Sequence, residues 1–382
     1  MDFSWSTEQL ELRDATLAFA KSSLSDDLIA RDRDGQFSRE FWSRCAEFGI
    51  QGLPFATEYG GSGQDAMTTV MAMEALGAGC KDGGLVFGLN AQMWSVQMPI
   101  AQHGTEDQKC RYLPRLASGE IIGAHGMSEP DSGSDAFGLR TTADLVGDVY
   151  VLNGTKTFVS NATVADVFVV FATVDRSLGA RGVTGFLIDR HTPGFSVGKK
   201  IGKMGLTTSP MAELVLDGCV VPVANRLGRE GRGATIFNDS MEWERACIMA
   251  PCVGAMERQL AACVTYARTR KQFGQPISDF QSVSNRLSAM KLRLETSRLI
   301  LYRAAWSKQT KLPSASVDAS MAKLYLGDAW IQSCLDAVQV HGGYGYMTEY
   351  EVERDLRDAL GGTLYSGTSD IQKAIIARGI GL

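Results

Sequence analysis

Residues 148–161, DVYVLNGTKTFVSN, mark the change of pattern that decides the fold. Two runs rich in β-branched and aromatic residues flank Asn153-Gly154, a pair typical of two-residue turns, and predict a β-hairpin. Further β-rich runs follow at short intervals: DVFVVFATV (166–174), GVTGFLIDR (182–190) and MAELVLDGCVVP (211–222). Because no helix-length segment interrupts them, an antiparallel barrel or sandwich is favoured over a parallel sheet.

The sequence on both sides of this region has helical periodicity. Ser6 with Gln9, and Thr105 with Gln108, fit capping boxes at the starts of helices. After the glycine-rich LGREGRG, apolar residues return at heptad-like spacing and suggest a bundle of long helices. The predicted fold class is α+β, with three domains: an N-terminal α-helical domain (1–120), a middle antiparallel β-barrel domain (121–233) and a C-terminal four-helix bundle (234–382).

Composition narrows the class of function. The chain has 382 residues, 45% hydrophobic and 21% charged, and a net charge of −5. This profile predicts a soluble globular protein without the basic surface that binds nucleic acid or membranes. The acidic N-terminus lacks the apolar core of a signal peptide, and no run of about 18 apolar residues is present to cross a bilayer.

Cysteine and histidine usage points to the compartment and the cofactor. Eight scattered cysteines without a CxxC pair suggest buried thiols in a reducing, cytoplasmic compartment. The four histidines have no ligand-like spacing, so no metal site is predicted. An organic cofactor is the better hypothesis for any chemistry here.

Glu244 is the most informative single residue. It falls within an apolar stripe that includes Phe237, Met241 and Ile248 on one predicted helix beginning near Ala234. A carboxylate facing a core is costly unless it is paired or functional. Two interpretations stay open: Glu244 bonds a neighbouring helix or an arginine, or it is a general base whose pKa is raised by apolar surroundings.

Three glycine-rich or basic segments in the C-terminal third each allow a structural and a ligand-binding interpretation. In GGTLYSGTSDIQKAIIARG (361–379), Ser369 with Gln372 fits a capping box, so the loop either starts a helix or also holds a substrate. QVHGGYGY (339–346) follows a helix and is no Rossmann fingerprint; it is a tight turn or a phosphate contact. The basic RTRKQFGQPI (268–277) is a solvated face or a pyrophosphate clamp. Arg245, next to Glu244, is interpreted as an internal ion-pair partner.

Taken together, five segments resemble the acyl-CoA dehydrogenase family, flavoenzymes that desaturate acyl thioesters. The segments are MSEPDSGSD (127–135), TFVSNA (157–162), RKQFG (270–274), QVHGG (339–343) and YSGTSDIQ (365–372). The resemblance covers essentially the whole chain and implies FAD between the middle domain and the C-terminal bundle. It also implies a homo-oligomer, usually a tetramer in this family, in which FAD is shared between subunits.

The resemblance assigns expected roles by position. Phe158 would flank the flavin ring and Ser160 would hydrogen-bond its reactive edge. The other expected FAD contacts are Met127, Ser128, Ser134, Arg270, Gln272, Phe273, Gln281, Gln339, Gly343, Thr368 and Asp370, those from Arg270 to Gly343 acting on a neighbouring subunit's FAD. The expected substrate contacts are Ser134, Met241, Arg245 and Gly367.

The resemblance also explains the unusual carboxylate. Most of the family has its glutamate base where this chain has Ser366, and an unassisted hydroxyl is too weak a base for a carbon acid. A minority has the base on the earlier helix, directly before an arginine, as in Glu244-Arg245. Glu244 is therefore the expected α-proton base, and the backbone N–H of Ser366 the expected donor to the thioester oxygen.

The substrate class follows from a narrower resemblance. SMEWERACIMAP (240–251) and YSGTSDIQ resemble the branch acting on carrier-protein-bound substrates, such as prolyl-carrier-protein dehydrogenases of natural-product and antibiotic pathways. The expected partners are a peptidyl or acyl carrier protein and an electron acceptor, either an electron-transfer flavoprotein or oxygen. Three competing hypotheses are a dehydrogenase of a free short or branched acyl-CoA, a flavin oxidase or monooxygenase, and a non-enzymatic scaffold. His125 and Thr207 depart from the family pattern.

Overall fold

The computed structural model describes residues 4–382; the first three residues, where the predicted helical domain begins, lie outside that range. Helices come first, a sheet follows and helices return, so the predicted helix–sheet–helix architecture is confirmed. One buried apolar cluster joins all three layers, with Trp42 from the first helices, Phe186 from the sheet and Leu301 from the last helices.

Within residues 4–382, seven helices build the first layer. Ser6 and Thr105 cap the first and last of them, each in a reciprocal capping box with the glutamine three residues on, as predicted. A π-helical turn, Met93–Gln97, interrupts the layer between its fifth and sixth helices. The helices are α1 (Thr7–Ser23), α2 (Leu28–Asp34), α3 (Arg39–Phe48), α4 (Ala66–Gly79), α5 (Gly83–Gln92), α6 (Met98–His103) and α7 (Glu106–Ala117).

The middle layer of the described chain is an eight-stranded sheet. The strands are β1 (Gly123–Gly126), β2 (Thr142–Val146), β3 (Val149–Ser160), β4 (Val167–Thr173), β5 (Val183–Asp189), β6 (Phe195–Val197), β7 (Met211–Pro222) and β8 (Arg226–Leu227). Their order is β6-β7-β3-β2-β4-β5-β8, with β1 added beside β4. Most pairs are antiparallel, as predicted, but β1 runs parallel to β4 and makes the sheet mixed.

The hairpin predicted at Asn153-Gly154 is wrong. β3 continues through these residues, and the hairpin turn lies earlier, between Val146 and Val149. Asn153 and Gly154 instead form an irregularity where the register of β3 against β7 shifts. Gly154 has φ 152° there, and an added Cβ would lie 2.4 Å from Thr141 Oγ1, so the glycine serves a strand bulge.

The last layer is a helical bundle in which two long helices pack against each other and four shorter helices pack against this pair. A two-residue strand pair, β9 (Lys271–Gln272) and β10 (Gln275–Pro276), connects the second helix to the third. The helices are α8 (Gly233–Cys247), α9 (Ala250–Thr269), α10 (Gln281–Gln309), α11 (Ala315–His341), α12 (Val352–Gly361) and α13 (Ser369–Gly379).

Two predicted details of these helices are wrong. Ile248, predicted on the same helix as Glu244, lies beyond the end of that helix at Cys247. A second helix begins at Ala250, because Pro251 lacks the N–H that would continue the ladder. Ser369 does not cap the last helix; Thr368 does, accepting a bond from Ile371 N–H. By length and composition, the stretch Gly233–Thr269 could cross a membrane. Within it, however, 67% of the most apolar 18-residue segment is buried inside the fold, as in the core helix of a folded domain.

Candidate active site

Glu244 lies on α8 with only 6% of its surface exposed. Its helical neighbours at about one turn to either side, Met241 and Ile248, are also buried, so the carboxylate faces the core as predicted. Burial raises the pKa of Glu244 to about 7, because the charged form loses its hydration. A carboxyl group with this pKa is partly ionised near neutral pH and can accept a proton there.

Two serine hydroxyls hold the carboxylate from opposite elements. Ser95 donates to Oε2 of Glu244 from the π-helical turn, and Ser366 donates to Oε1 from the loop before α13. Glu244 is therefore hydrogen-bonded but not ion-paired among the described residues. Sequence reasoning missed Ser95, since the π-helical turn that presents it has no signal in the local pattern.

Three side chains fix the loop at Ser366 and Gly367, opposite Glu244, by donating hydrogen bonds to its carbonyl groups. Arg245 Nε donates to the Ser366 carbonyl (3.0 Å), and Lys323 Nζ donates to the Gly367 carbonyl (2.7 Å). The Gln372 side-chain amide donates to both carbonyls, at 3.2 and 2.9 Å. The predicted ion pair of Arg245 is thus wrong within residues 4–382, because its guanidinium is used to fix this loop.

Left-handed backbone turns the loop at Ser366 (φ 58°) and Gly367 (φ 92°). The N–H groups of these two residues have no acceptor among the described residues, whereas their carbonyls are bonded. A free N–H group next to a candidate base is the arrangement that stabilises a developing oxyanion. Lys323, which sequence reasoning missed, lies in the middle of α11; burial lowers the pKa of its ammonium to about 8.

The middle domain brings together two of the five segments that resemble the family, residues 127–135 and 157–162. Thr157 N–H donates to the Ser128 carbonyl (2.9 Å), which joins the 127–135 loop to β3 next to Phe158. Lys156 Nζ bonds the Met127 carbonyl (3.2 Å) and pairs with Glu129 (2.7 Å), both side chains being buried. Ser160 ends β3, two residues beyond Phe158.

Most of the remaining predicted cofactor residues are exposed at the surface of the chain. Arg270, Gln272 and Phe273 form the exposed β9–β10 turn, with the Arg270 guanidinium 5.5 Å from the Tyr344 ring centre. That contact brings the RKQFG and QVHGG segments, and so Gly343, into one region. Gln281 begins α10, and Gln339 is exposed on the last turn of α11. Ser134 is exposed on the loop before β2, and Asp370 is exposed on α13.

Two exposed aromatic residues provide the test of whether a flavin nucleotide fits. Phe158 is 66% exposed and Phe273 94% exposed, and each has a left-handed backbone (φ 56° and 52°). Large apolar side chains held in a strained conformation and turned outward are suited to stack on a planar ring system. Together with Arg270, they fit the ring and pyrophosphate parts of FAD.

Both departures from the family pattern have structural partners. His125 packs between Phe171 and Phe237, with ring centres 5.5 and 5.9 Å away, and burial lowers its pKa to about 4. Its imidazole is therefore neutral at neutral pH. Thr207 Oγ1 bonds Asp32 Oδ1 (2.5 Å), which ties the loop between β6 and β7 to α2.

Three acyl-CoA dehydrogenase domains match the chain in order: the N-terminal domain over residues 6–120, the middle domain over 124–219 and the C-terminal domain over 231–381. The chain belongs to the acyl-CoA dehydrogenase family. It is a flavin-dependent acyl-thioester dehydrogenase, and its cofactor is FAD. The predictions of the family, the enzyme class and the cofactor are confirmed, and the scaffold hypothesis is wrong.

Two relatives belong to one narrower group. An L-prolyl-[peptidyl-carrier protein] dehydrogenase of Pseudomonas fluorescens is 44% identical over 343 residues, 90% of each chain. The protein of the same name from a Serratia species is 41% identical over 382 residues, 100% of this chain and 99% of the other.

Solved structures with a similar fold include proteins that their descriptions link to prolyl carrier proteins or to proline. The prolyl acyl carrier protein oxidase AnaB superposes with a TM-score of 0.98 at 50% identity, covering 99% of this chain and 100% of the other. PigA, solved with FAD and proline, superposes with a TM-score of 0.97 at 40% identity over both full chains.

Proposed function

We propose that this enzyme oxidises a prolyl thioester carried on a peptidyl or acyl carrier protein to the pyrrolyl level, with Glu244 as the α-proton base. One observation carries the proposal: a buried carboxylate with a pKa of about 7 lies opposite a loop with free N–H groups. The setting of the pathway is natural-product biosynthesis in the cytoplasm, where the eight free cysteines remain reduced.

Glu244 removes the proton from the carbon next to the thioester carbonyl. The carbonyl oxygen gains negative charge, and the Ser366 N–H donates to it, a stabilisation of about 3 kcal/mol per donor. FAD, when bound, would supply the acceptor for the hydride that leaves the β-carbon. Ser95 and Ser366 keep the Glu244 carboxylate oriented, because each hydroxyl donates to one of its oxygens.

The prolyl ring needs two such oxidations, since a pyrrole has four hydrogens fewer than a pyrrolidine. After each turn the base must release its proton before the next. A pKa of about 7 suits this exchange, because both protonation states of Glu244 are populated near neutral pH. The carrier-bound prolyl substrate is supported by the two prolyl-carrier-protein dehydrogenases at 44% and 41% identity.

Cofactor and oligomer are proposed to be linked. Arg270, Gln272, Phe273, Gln281, Gln339 and Gly343 hold the outer part of FAD in a neighbouring subunit, while Met127, Ser128, Phe158 and Ser160 hold the ring in their own subunit. Ser134, Met241, Arg245 and Gly367 line the substrate, and Thr368 and Asp370 contribute from the last loop. Support comes from Phe273, which is 94% exposed and so available to a second copy.

The electron acceptor distinguishes two forms of the proposal. An electron-transfer flavoprotein would make the enzyme a dehydrogenase in the strict sense, and a structure described as an electron-transferring flavoprotein of Acidaminococcus fermentans matches this chain at 38% identity. Oxygen would make it an oxidase, the word applied to AnaB. Peroxide release during aerobic turnover separates the two.

The substrate is tested by mixing the FAD-loaded enzyme anaerobically with prolyl-loaded carrier protein, and separately with a panel of short acyl-CoAs. We expect flavin bleaching only with the loaded carrier, and a product four hydrogens lighter by mass. Bleaching by an acyl-CoA instead would support the second candidate, a free acyl-CoA dehydrogenase, which is favoured by 38% identity to a short-chain enzyme of Clostridium acetobutylicum.

A further inference from the structure

The burial pattern along α8 sets the direction from which a substrate reaches Glu244. Beyond the carboxylate the chain enters the core, where Ile248, Met249 and Ala250 are at most 2% exposed. Toward the start of α8, Ala234 and Phe237 are half-buried and Asn238 is exposed. Along this helix, therefore, exposure to solvent increases from Glu244 toward the helix start.

An apolar wall follows that direction. Phe237, Met241 and Glu244 occupy positions i, i+4 and i+7 and so share one face of α8. The Phe237 ring meets the Phe137 ring at 5.9 Å between centres, three residues beyond Ser134. The uncharged, flexible chain of a pantetheine fits such a wall.

Four arginines surround the start of α8. Arg176 and Arg181 lie on the turn between β4 and β5, and Arg229 and Arg232 lie on the turn before α8; all four are exposed. The two turns touch, since a Cβ on Gly231 would lie 2.6 Å from the Arg181 carbonyl oxygen. We call Arg176, Arg181, Arg229 and Arg232 the arginine cluster.

The side chains of the arginine cluster form no ion pair or hydrogen bond with any residue from 4 to 382. Neighbouring carboxylates are already engaged. Glu230 accepts from the Tyr150 hydroxyl and lies 3.9 Å from Arg226. Asp175 accepts from the Ser177 N–H at 2.8 Å, and Asp239 pairs with His103 at 3.2 Å. None of these three carboxylates pairs with the cluster, and its four arginines outnumber them, so this surface keeps an excess of positive charge.

The distance along α8 between the arginine cluster and Glu244 is comparable with the length of a phosphopantetheine arm. Arg232 and Glu244 are separated by about 18 Å along the axis, at 1.5 Å per residue. This separation is comparable with the extended phosphopantetheine arm, which ends in a thioester on one side and a phosphodiester on the other. Arginine is the side chain best suited to a phosphate, through paired N–H donors.

We propose that the arginine cluster is the docking site for the phosphate of a carrier protein's phosphopantetheine arm, with the thioester reaching Glu244 along α8. This inference rests on the proposed function for the identity of the thioester. The occupant is the phosphodiester at the base of the arm, and the cluster fixes where the carrier sits on the enzyme.

The test measures binding, which needs no turnover. Calorimetry compares 4′-phosphopantetheine with pantetheine, and holo-carrier with apo-carrier, on the FAD-loaded enzyme. We expect phosphopantetheine to bind at least about tenfold more tightly than pantetheine, because of its charge-assisted bonds. In Arg229→Glu/Arg232→Glu this advantage is lost while pantetheine affinity is unchanged. Arg181→Glu, on the other turn, is expected to act in the same direction.

The matched control is Lys21→Glu/Lys311→Glu, which makes the same charge change at exposed lysines outside the cluster. It is expected to leave the phosphopantetheine advantage intact. The site would be overturned if the control lost as much phosphopantetheine affinity as the arginine variants, or if the unaltered enzyme bound phosphopantetheine no more tightly than pantetheine. It would also be overturned if the arginine variants bound holo-carrier more weakly but phosphopantetheine as well as before. Phosphate-dependent binding without flavin reduction by prolyl carrier would refute the proposed function and leave the site standing.

Discussion

Ser366 and Glu244 share a hydrogen bond, and this bond gives the serine side chain a role that the sequence did not predict. The sequence assigned only the backbone N–H of Ser366 to the site. In the structure its hydroxyl also donates to the carboxylate, and this bond lowers the pKa of Glu244 against the larger effect of burial. The hydroxyl thus keeps more of the proposed base in its ionised form.

Ser366→Ala is expected to raise the pKa of Glu244 by roughly one unit, the value of one lost hydrogen bond. Because the base acts when ionised, flavin reduction at about pH 7 should slow several-fold and recover at higher pH. Stopped-flow reduction across pH measures this shift. Ser369→Ala is the control, since Ser369 neither caps α13 nor contacts Glu244. An unshifted profile in Ser366→Ala would contradict the role of the hydroxyl.

β3 illustrates how an element can be predicted while its geometry is not. The strand residues on both sides of Asn153-Gly154 were identified correctly, but the pair was assigned to a turn. Local sequence does not distinguish a turn from a bulge, because glycine is favoured in both; pairing with β7 over the whole strand decides between them. The same limit applies to Ser95, which a π-helical turn delivers to Glu244.

Gly154→Ala is expected to destabilise the fold by at least about 1 kcal/mol. The new methyl group would meet Thr141, whose Cα would lie 2.8 Å away, and φ 152° disfavours a side chain. Denaturant unfolding measures the change. Gly202→Ala, where an added Cβ meets nothing within 4 Å, should be close to neutral. Equal effects of the two substitutions would show that the bulge is not required.

At the scale of the whole molecule, the order of the layers and the buried position of the proposed base were predictable, because both depend on patterns within the chain. Strand and helix periods separated the three layers, and Glu244 stood out as a carboxylate on an apolar face. The loop around Ser366 was not predictable in detail. Its shape depends on Arg245, Lys323 and Gln372, which reach it from two further helices and the chain that follows.

α10 has an outer stripe of exposed apolar residues at seven-residue spacing: Leu292 (69% exposed), Leu299 (54%) and Trp306 (45%). A stripe of this kind supports the proposed homo-oligomer. Leu299→Glu is expected to lower the oligomeric state in analytical ultracentrifugation and to reduce FAD content. Leu145→Glu, at a similarly exposed leucine on β2, should do neither. An unchanged oligomer in Leu299→Glu would remove this surface from the interface.

The most direct test of the account is Glu244→Gln. The amide keeps the size of the side chain but cannot accept the α-proton. We expect FAD content and the flavin spectrum to be unchanged, and anaerobic flavin reduction by prolyl-loaded carrier to fall by about 10²–10⁴-fold, the usual contribution of a general base. Reduction at the rate of the unaltered enzyme would contradict the assignment of Glu244 as the base.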